Sequence, residues 1–478
     1  MPDVTHFEEP ELQFGLAPHI DVRFGLMNYG PLDATEAERP DSLVVGMLGT
    51  NQSSASLQKW VERITTGVEA KESIQPHMYP RFPGITGDSQ LKAPIVIDKG
   101  ASQEFTIPEI EKLTKITNRV ELVEQSVELF AESIKDRKSK RPPKAFLCAL
   151  PIELEDALEG SSDDATSVQG SRSVPDFHDL LKAKAMALGV PIQLVRPETH
   201  DATRTRKRKR KPNKTRTIQH EAIRAWNFYV ALYYKCGGTP WKMIADAKAL
   251  SSLFVGIGFY KSRDEQRVQT SVAQVFNERG IGVVLRGADV QLSKDDRQPH
   301  LSEDDSKDLL LKSLKHYRTE HRTAPARVVL HKTSSFSDAE IAGFRKALDD
   351  QKIEVFDFVS IGESPVRLFR DGQYPPLRGT SLRLSERDQL LYTRGSVSFF
   401  RTYPGLYIPS PLLMRLEQCS SERDTVLADA LALSKMNWNN TQFDGREPIT
   451  IAAARKVGRI LKYVEPDGRV ESRYSYYM

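Results

Sequence analysis

Four side chains near the middle of this 478-residue sequence could together grip a small anion. In FHDLLKAKAMALGVPIQLVRPETH, His178 and Lys182 lie four apart, so a helix presents both on one face. Gln193 follows at the head of the next apolar run, and Lys235 closes HEAIRAWNFYVALYYKCGG just before a glycine pair. Two ammonium groups, an imidazole and an amide are the donors that charge-assisted hydrogen bonding to a phosphate uses. Ordinary readings compete with this one. A histidine–lysine pair on a helix is commonly a solvated face, and a lysine in a last turn answers the helix dipole. Gly237 and Gly238 are free to take the left-handed conformation that closes the helix.

The elements that must hold these residues follow from periodicity. Apolar runs of strand length recur at 42–50, 93–99, 144–151, 192–197, 253–260, 281–287, 326–332 and 353–359. Amphipathic helical stretches at 107–136, 179–189 and 337–350 intervene. Such alternation predicts α/β architecture. Residues 381–403 read instead as consecutive strands with tight turns, a mixed sheet. Proline and glycine cluster near 140–143, 159–175 and 237–240, and the main boundary is placed just after the last cluster. The resulting units are 140–245 and 246–478; residues 1–139 either lead into the first unit or form part of it.

Composition bounds the function classes. With 39% hydrophobic and 28% charged residues, the chain is ordinary for a globular protein and too apolar for a disordered one. Its length allows about two to four compact units. No apolar run approaches the ~20 residues of a membrane helix. The opening MPDVTHFEEPELQ lacks the basic start and apolar core of a signal peptide. Cys148, Cys236 and Cys419 lie far apart, so a reducing cytoplasm fits and a disulfide scaffold or structural zinc site does not. The run RTRKRKRKPNKTR (204–216) holds nine Lys/Arg and no acid; taking those nine from the net charge of +4 leaves the remaining chain at −5. It reads as a solvated loop, with Arg206, Lys207, Arg208, Lys209, Arg210 and Lys211 as candidates for backbone-phosphate contact. A tolerated insertion, or a mimic of a localisation signal, explains the same run.

The wider pattern is that of a known family. His178, Lys182, Gln193 and Lys235 resemble the residues with which the MID domain of Argonaute proteins closes around a guide's 5′-phosphate, and Asn227 matches an asparagine common in the final helix. The resemblance implies a Rossmann-like MID domain. Ala231 stands where eukaryotic members carry a second lysine. Prokaryotic members with that gap often use a divalent cation, here implied to be Mg2+ held in part by Gln193 and the C-terminal carboxylate of Met478. LFVGIGFYKS (253–262), ARVVLHKTSSFSDAEIAGFRKAL (326–348), TRGSVSFFRTYPGLYIPSPL (393–412) and KMNWNNTQFDGREPITIAAARKV (435–457) resemble, in order, segments of an RNase H-like PIWI domain. The likeness covers roughly residues 140–478.

At the positions where cleaving members hold two metal ions with carboxylates, this sequence has Gly258, Thr333 and Arg455. Glu303, Asp304 and Asp305 lie near the place of a mobile glutamate, but a lone carboxylate cannot assemble a two-metal centre and Arg455 repels cations. The expectation is a chain that binds without cutting. About 140 leading residues leave no room for both an N-terminal and a PAZ domain, and HIDVRFGLMNYGPLD (19–33) resembles the lead-in to MID in prokaryotic members. The chain therefore resembles a short prokaryotic Argonaute. That likeness implies a 5′-phosphorylated guide RNA, a single-stranded DNA target, and a separate APAZ-containing partner in defence against plasmids or phages. The partner's effector is commonly a sirtuin-like or TIR NADase and sometimes a nuclease, and the complex is open to oligomerisation on activation. Two rivals remain: an autonomous guide-directed nuclease with non-standard ligands, and a plain nucleic-acid-binding protein that uses 204–216.

Overall fold

The structure is a computed structural model that describes residues 3–73, 75–140, 142–159, 174–201, 206–208, 211–216, 218–244, 250–263, 267–275, 282–292, 296–371, 375–400, 403, 408–465 and 468–478. The chain opens with β1 (Asp3–His6), which joins a sheet completed only near residue 419. After a small antiparallel sheet of Leu12–Gln13, Pro18–His19 and Lys242–Met243, a parallel sheet is built from β2 (Leu43–Thr50), β3 (Ile95–Ile97), β4 (Gln103–Phe105), β5 (Ala145–Ala149) and β6 (Ile192–Val195). Every pairing in it is parallel, with β2 between β5 on one side and β3 then β4 on the other. Strands that precede residue 139 thus share one sheet with β5 and β6.

β2 and β5 are almost wholly apolar because helices cover both faces of their sheet. The helices are α1 (Asn51–Thr66), α2 (Arg119–Lys140), α3 (Phe177–Ala187) and α4 (Glu221–Lys235). Leu147 packs with Trp60 of α1 and Trp226 of α4, whereas Phe146 and Cys148 turn to Phe130 of α2 and Leu181 of α3. One expected helix, 107–136, is two. Ile107–Thr114 ends, and Asn118 restarts the chain as α2 by accepting from the backbone N–H of Val120 and Glu121.

The second sheet contains β7 (Ser252–Lys261), β8 (Val268–Val275), β9 (Gly282–Leu292), β10 (Pro299–His300), β11 (Arg327–Lys332), β12 (Val355–Glu363), β13 (Thr380–Arg383), β14 (Asp388–Leu391) and β15 (Leu412–Cys419). Its order is β1-β13-β14-β15-β12-β11-β7-β8-β9-β10. β7, β8 and β9 run antiparallel, and β11 and β12 add parallel to β7, which is the RNase H-like arrangement. Helices α5 (Glu303–His321) and α6 (Asp338–Asp350) cover one face through Leu310 and Phe344 against Leu253, Val255 and Ile257. α7 (Arg423–Leu433) packs on β12, and α8 (Ile449–Leu461) crosses β7 on the opposite face. The mixed sheet expected at 381–403 is present as the β13–β14 hairpin; β15 is the next described strand.

The basic run is not the open loop its charge predicts. Arg206–Arg208 and Lys211–Arg216 pair as an antiparallel hairpin with a register shift, since backbone hydrogen bonding does not depend on the side-chain type. Lys209 and Arg210 lie outside the described residues. Among the described residues no helix is long and apolar enough to cross a membrane.

Candidate nucleic-acid interface

Three elements of the first sheet converge on one cavity. α3 starts at Asp176, whose carboxylate accepts from the Asp179 N–H at 3.0 Å, and this places His178 in the first turn and Lys182 one turn on. β6 contributes Gln193. α4 ends with the Gly238 N–H donating to the Tyr233 carbonyl and the Gly237 N–H to that of Tyr234, the paired bonds of a Schellman motif. Only Gly237 takes a positive φ, +101°; Gly238 is needed because a Cβ there would meet the Tyr233 ring at 2.2 Å. Lys235 is thereby held in the last turn.

The cavity, about 240 Å³, is lined by His178, Gln193, Asn227, Lys235 and Met478, with Arg224 and Thr199 beside them. No acidic side chain lines it among the described residues. Lys182 lies behind this wall, buried, with Nζ 3.4 Å from the Tyr477 carbonyl. Gln193 Oε1 accepts from Lys235 Nζ. Asn227 Oδ1 accepts from the Thr441 N–H and hydroxyl at 2.9 and 3.0 Å, so its amide NH2 is the group left to donate.

Sequence spacing did not reveal two further cations. Arg224, one turn inside α4, donates to the Glu198 and Thr199 carbonyls and borders the cavity. Lys456 comes from α8, which is tied to α3 by the Arg459–Asp179 ion pair at 2.8 Å. Among the described residues Lys456 has no hydrogen-bond or ion-pair partner. Burial holds its ammonium down at about 8, with Asp179 opposing that shift and Arg459 adding to it. Burial, then the Lys456 charge, holds Lys235 at about 7. Burial and neighbouring lysines likewise push His178 and Lys182 well below their ordinary ranges. Cations crowded together out of water, with less negative charge nearby than their own, respond in this way. The cavity is electrostatically fitted to a multiply charged anion of phosphate size. As for a divalent ion, the two residues expected to hold it, Gln193 and Met478, share the wall. The Gln193 oxygen already faces Lys235, so these residues suit a metal that arrives with its own phosphate oxygens.

The three positions named for cleavage also come together. β7 and β11 pair in parallel with Ile257 opposite Lys332, and the Thr333 N–H donates to the Ile257 carbonyl at 3.2 Å. Gly258, within β7, therefore stands beside Thr333, which follows the last residue of β11. A Cβ on Gly256 would lie 2.1 Å from the Thr450 carbonyl oxygen, so α8 crosses β7 in contact and carries Arg455 past this point. Arg455 pairs with Glu447 at 3.2 Å. Glu303, Asp304 and Asp305 form the first turn of α5; Glu303 pairs with Lys346, and Asp305 accepts from the Ser302 hydroxyl. No group of three or more His, Cys, Asp or Glu able to hold a metal occurs among the described residues.

No family model matches the chain. The Argonaute protein of Cereibacter sphaeroides is 26% identical over 309 residues, which are 59% of this chain and 37% of that protein. The solved structure of Clostridium butyricum Argonaute, bound to a guide DNA (5′ deoxycytidine) and a 19-mer target DNA, superposes with a TM-score of 0.66 at 15% identity. The match covers 98% of this chain and 54% of that one. Drosophila Piwi gives 0.59 at 15% identity, over 99% of this chain and 56% of its own. The chain spans little more than half the length of the solved proteins it matches. This chain is thus similar in sequence to an Argonaute protein over 59% of its length and shares the fold of the Argonaute and Piwi structures over nearly all of it.

Proposed function

We propose that the chain is a guide-binding recognition subunit whose pocket around His178, Gln193, Asn227 and Lys235 anchors the 5′-phosphate of a guide. The observation that carries this reading is a cavity that no Asp or Glu side chain lines among the described residues and that His178, Lys235 and Arg224 border. Base pairing with the guide then reads the target, so base-specific side chains are not needed. In this reading the guide is RNA and the target single-stranded DNA; Mg2+ enters with the phosphate beside Gln193 and Met478. The purified chain should bind a 5′-phosphorylated guide more tightly than its 5′-hydroxyl twin. Charged hydrogen bonds are worth about 1.5–3 kcal/mol each, so K182A/K235A should lose about two to four orders of magnitude on the phosphorylated guide alone. Chelating Mg2+ should weaken the same guide selectively. Equal affinity of the wild type for both guide ends would overturn the pocket.

The same reading makes the chain a non-cleaving one that signals to a separate effector. Gly258, Thr333 and Arg455 supply neither carboxylate nor vacancy for a two-metal centre, which supports that view. The partner is an APAZ-containing protein bearing a sirtuin-like or TIR NADase, or less readily a nuclease, in cytoplasmic defence against plasmids and phages. Target pairing would favour an active state of that complex, including an oligomer, through contacts that differ between its states. Purification of the tagged chain from its native host tests this reading. Short 5′-phosphorylated RNA together with an APAZ protein is the expected result; metal-dependent cutting of a guide-matched target by the chain alone would replace it.

A further inference from the structure

A cluster of buried charge, none of it lining the 5′ cavity, ties the leading segment of the chain to the second sheet. The side chains of Arg378 and Lys435 are fully buried and share the carboxylate of Glu9. Arg378 Nε lies 3.0 and 2.9 Å from its two oxygens, and Lys435 Nζ lies 3.0 Å from one. Lys435 also donates to the Pro10 and Ile20 carbonyls, each at 2.6 Å, so residues 9–20 satisfy all three of its N–H groups. Arg378 donates further to the Leu431 carbonyl at 3.2 Å, the Ser434 hydroxyl at 2.9 Å and the Thr393 carbonyl. Among the described residues no other carboxylate forms an ion pair with either cation.

The chain that follows Lys435 supplies one side of the pocket. Asn439 lines the cavity. Thr441 donates its N–H and hydroxyl to Asn227 Oδ1, which leaves the Asn227 NH2 as the group that can donate to a bound anion. Two residues further on, the buried ring of Phe443 returns to the same two cations. Its centroid lies 4.7 Å from Lys435 Nζ and 6.0 Å from the Arg378 guanidinium carbon. Residues 435–443 are thus pinned at both ends by cations whose shared counter-ion is Glu9. Removing that carboxylate leaves two positive charges buried and unpaired, a state costly enough to drive the segment toward water.

We infer that Glu9 is a positioning residue for the guide pocket: it lines no part of the cavity, yet through Lys435 and Phe443 it fixes the segment whose Thr441 orients the Asn227 amide. The inference rests on the guide-binding reading, and it makes affinity for the guide's 5′ end depend on how residues 9–20 are seated. The full chain is titrated with a 5′-phosphorylated RNA oligonucleotide and with its 5′-hydroxyl twin, at a temperature where every variant is folded. The readout is the ratio of the two affinities. Glu9→Gln keeps the shape of the side chain and removes its charge; it should cut that ratio about tenfold, the worth of one charge-assisted hydrogen bond. In an Asn227→Ala background the same substitution should change the ratio by less than about twofold, because the group it acts through is already gone. Asp357→Asn controls for lost stability. It breaks the buried Arg327–Asp357 pair of the second sheet, 2.7 Å long, and should lower the unfolding midpoint while leaving the ratio intact. A wild-type ratio in Glu9→Gln, an equal loss of ratio in Asp357→Asn, or an undiminished effect of Glu9→Gln in the Asn227→Ala background would overturn the positioning role. A wild-type chain that fails to distinguish the two guide ends would instead overturn the pocket itself.

Discussion

The pocket residues differ in how they come to stand together. His178 and Lys182 are joined by helical spacing, and Lys235 by its place before a glycine, so local geometry alone makes them legible in the sequence. Lys456 is 274 positions after Lys182; only the packing of α8 on α3, fixed by Arg459 and Asp179, brings its charge to the pocket. No periodicity can announce such a meeting. Its cost gives it a distinctive signature. A cation held from water without an anion destabilises the empty protein, yet it is the group that a phosphate most rewards. Lys456→Met should therefore raise the unfolding free energy of the guide-free chain. The same change should lower affinity for a 5′-phosphorylated guide by about 10- to 150-fold, the equivalent of one charged hydrogen bond of about 1.5–3 kcal/mol. Urea unfolding and guide titration on one preparation give both signs. A variant that loses stability and keeps its affinity would make Lys456 a structural residue instead.

Elements were readable wherever a short-range pattern settles them. The apolar runs at 42–50, 144–151, 253–260 and 326–332 became β2, β5, β7 and β11 because burial on both faces leaves little room for polar residues. The failures have local causes as well. Asn118 caps a new helix inside a stretch whose apolar period never breaks, and the basic run satisfies its backbone as a hairpin despite repulsion between its side chains. What the sequence could not convey is how closely α8 approaches β7. Gly256 permits that approach, and a methyl group there would have to displace helix backbone, since the Thr450 carbonyl stands 2.1 Å from the Cβ position. Gly256→Ala should cost about 1–3 kcal/mol as an overpacked contact. It should also weaken guide binding, because α8 carries Lys456. Gly362→Ala, in β12, serves as the control: its Cβ meets nothing within 4 Å. Similar unfolding midpoints for the two variants would argue that α8 moves without resistance.

At the scale of the molecule the two sheets are interlocked by chain segments far apart in sequence. β1 pairs with β13, and the Glu9 carboxylate bridges Arg378 at 2.9 Å and Lys435 at 3.0 Å before the chain enters the first sheet. Acid should undo this body through histidines buried in both halves. His200 sits beneath α1, bonded to the Ser56 hydroxyl at 2.9 Å, and burial lowers it to about 4. His331 lies within β11, 2.8 Å from the Thr450 hydroxyl, and burial lowers it to about 3. Unfolded histidine titrates near 6.5. Between about pH 6.5 and 4 the unfolded chain therefore binds protons that the folded chain refuses, and stability must fall as the pH drops. Each imidazole contributes a slope of about 1.4 kcal/mol per pH unit within that window, and His178, held low by the same burial, adds a third. Urea unfolding of the guide-free chain at pH 7, 6 and 5 should show this decline. His200→Asn, which keeps an acceptor for Ser56 but cannot take up the proton, should remove one histidine's share of it. An undiminished slope in that variant would mean that His200 is protonated in the native protein and that its burial is not what makes the fold sensitive to acid.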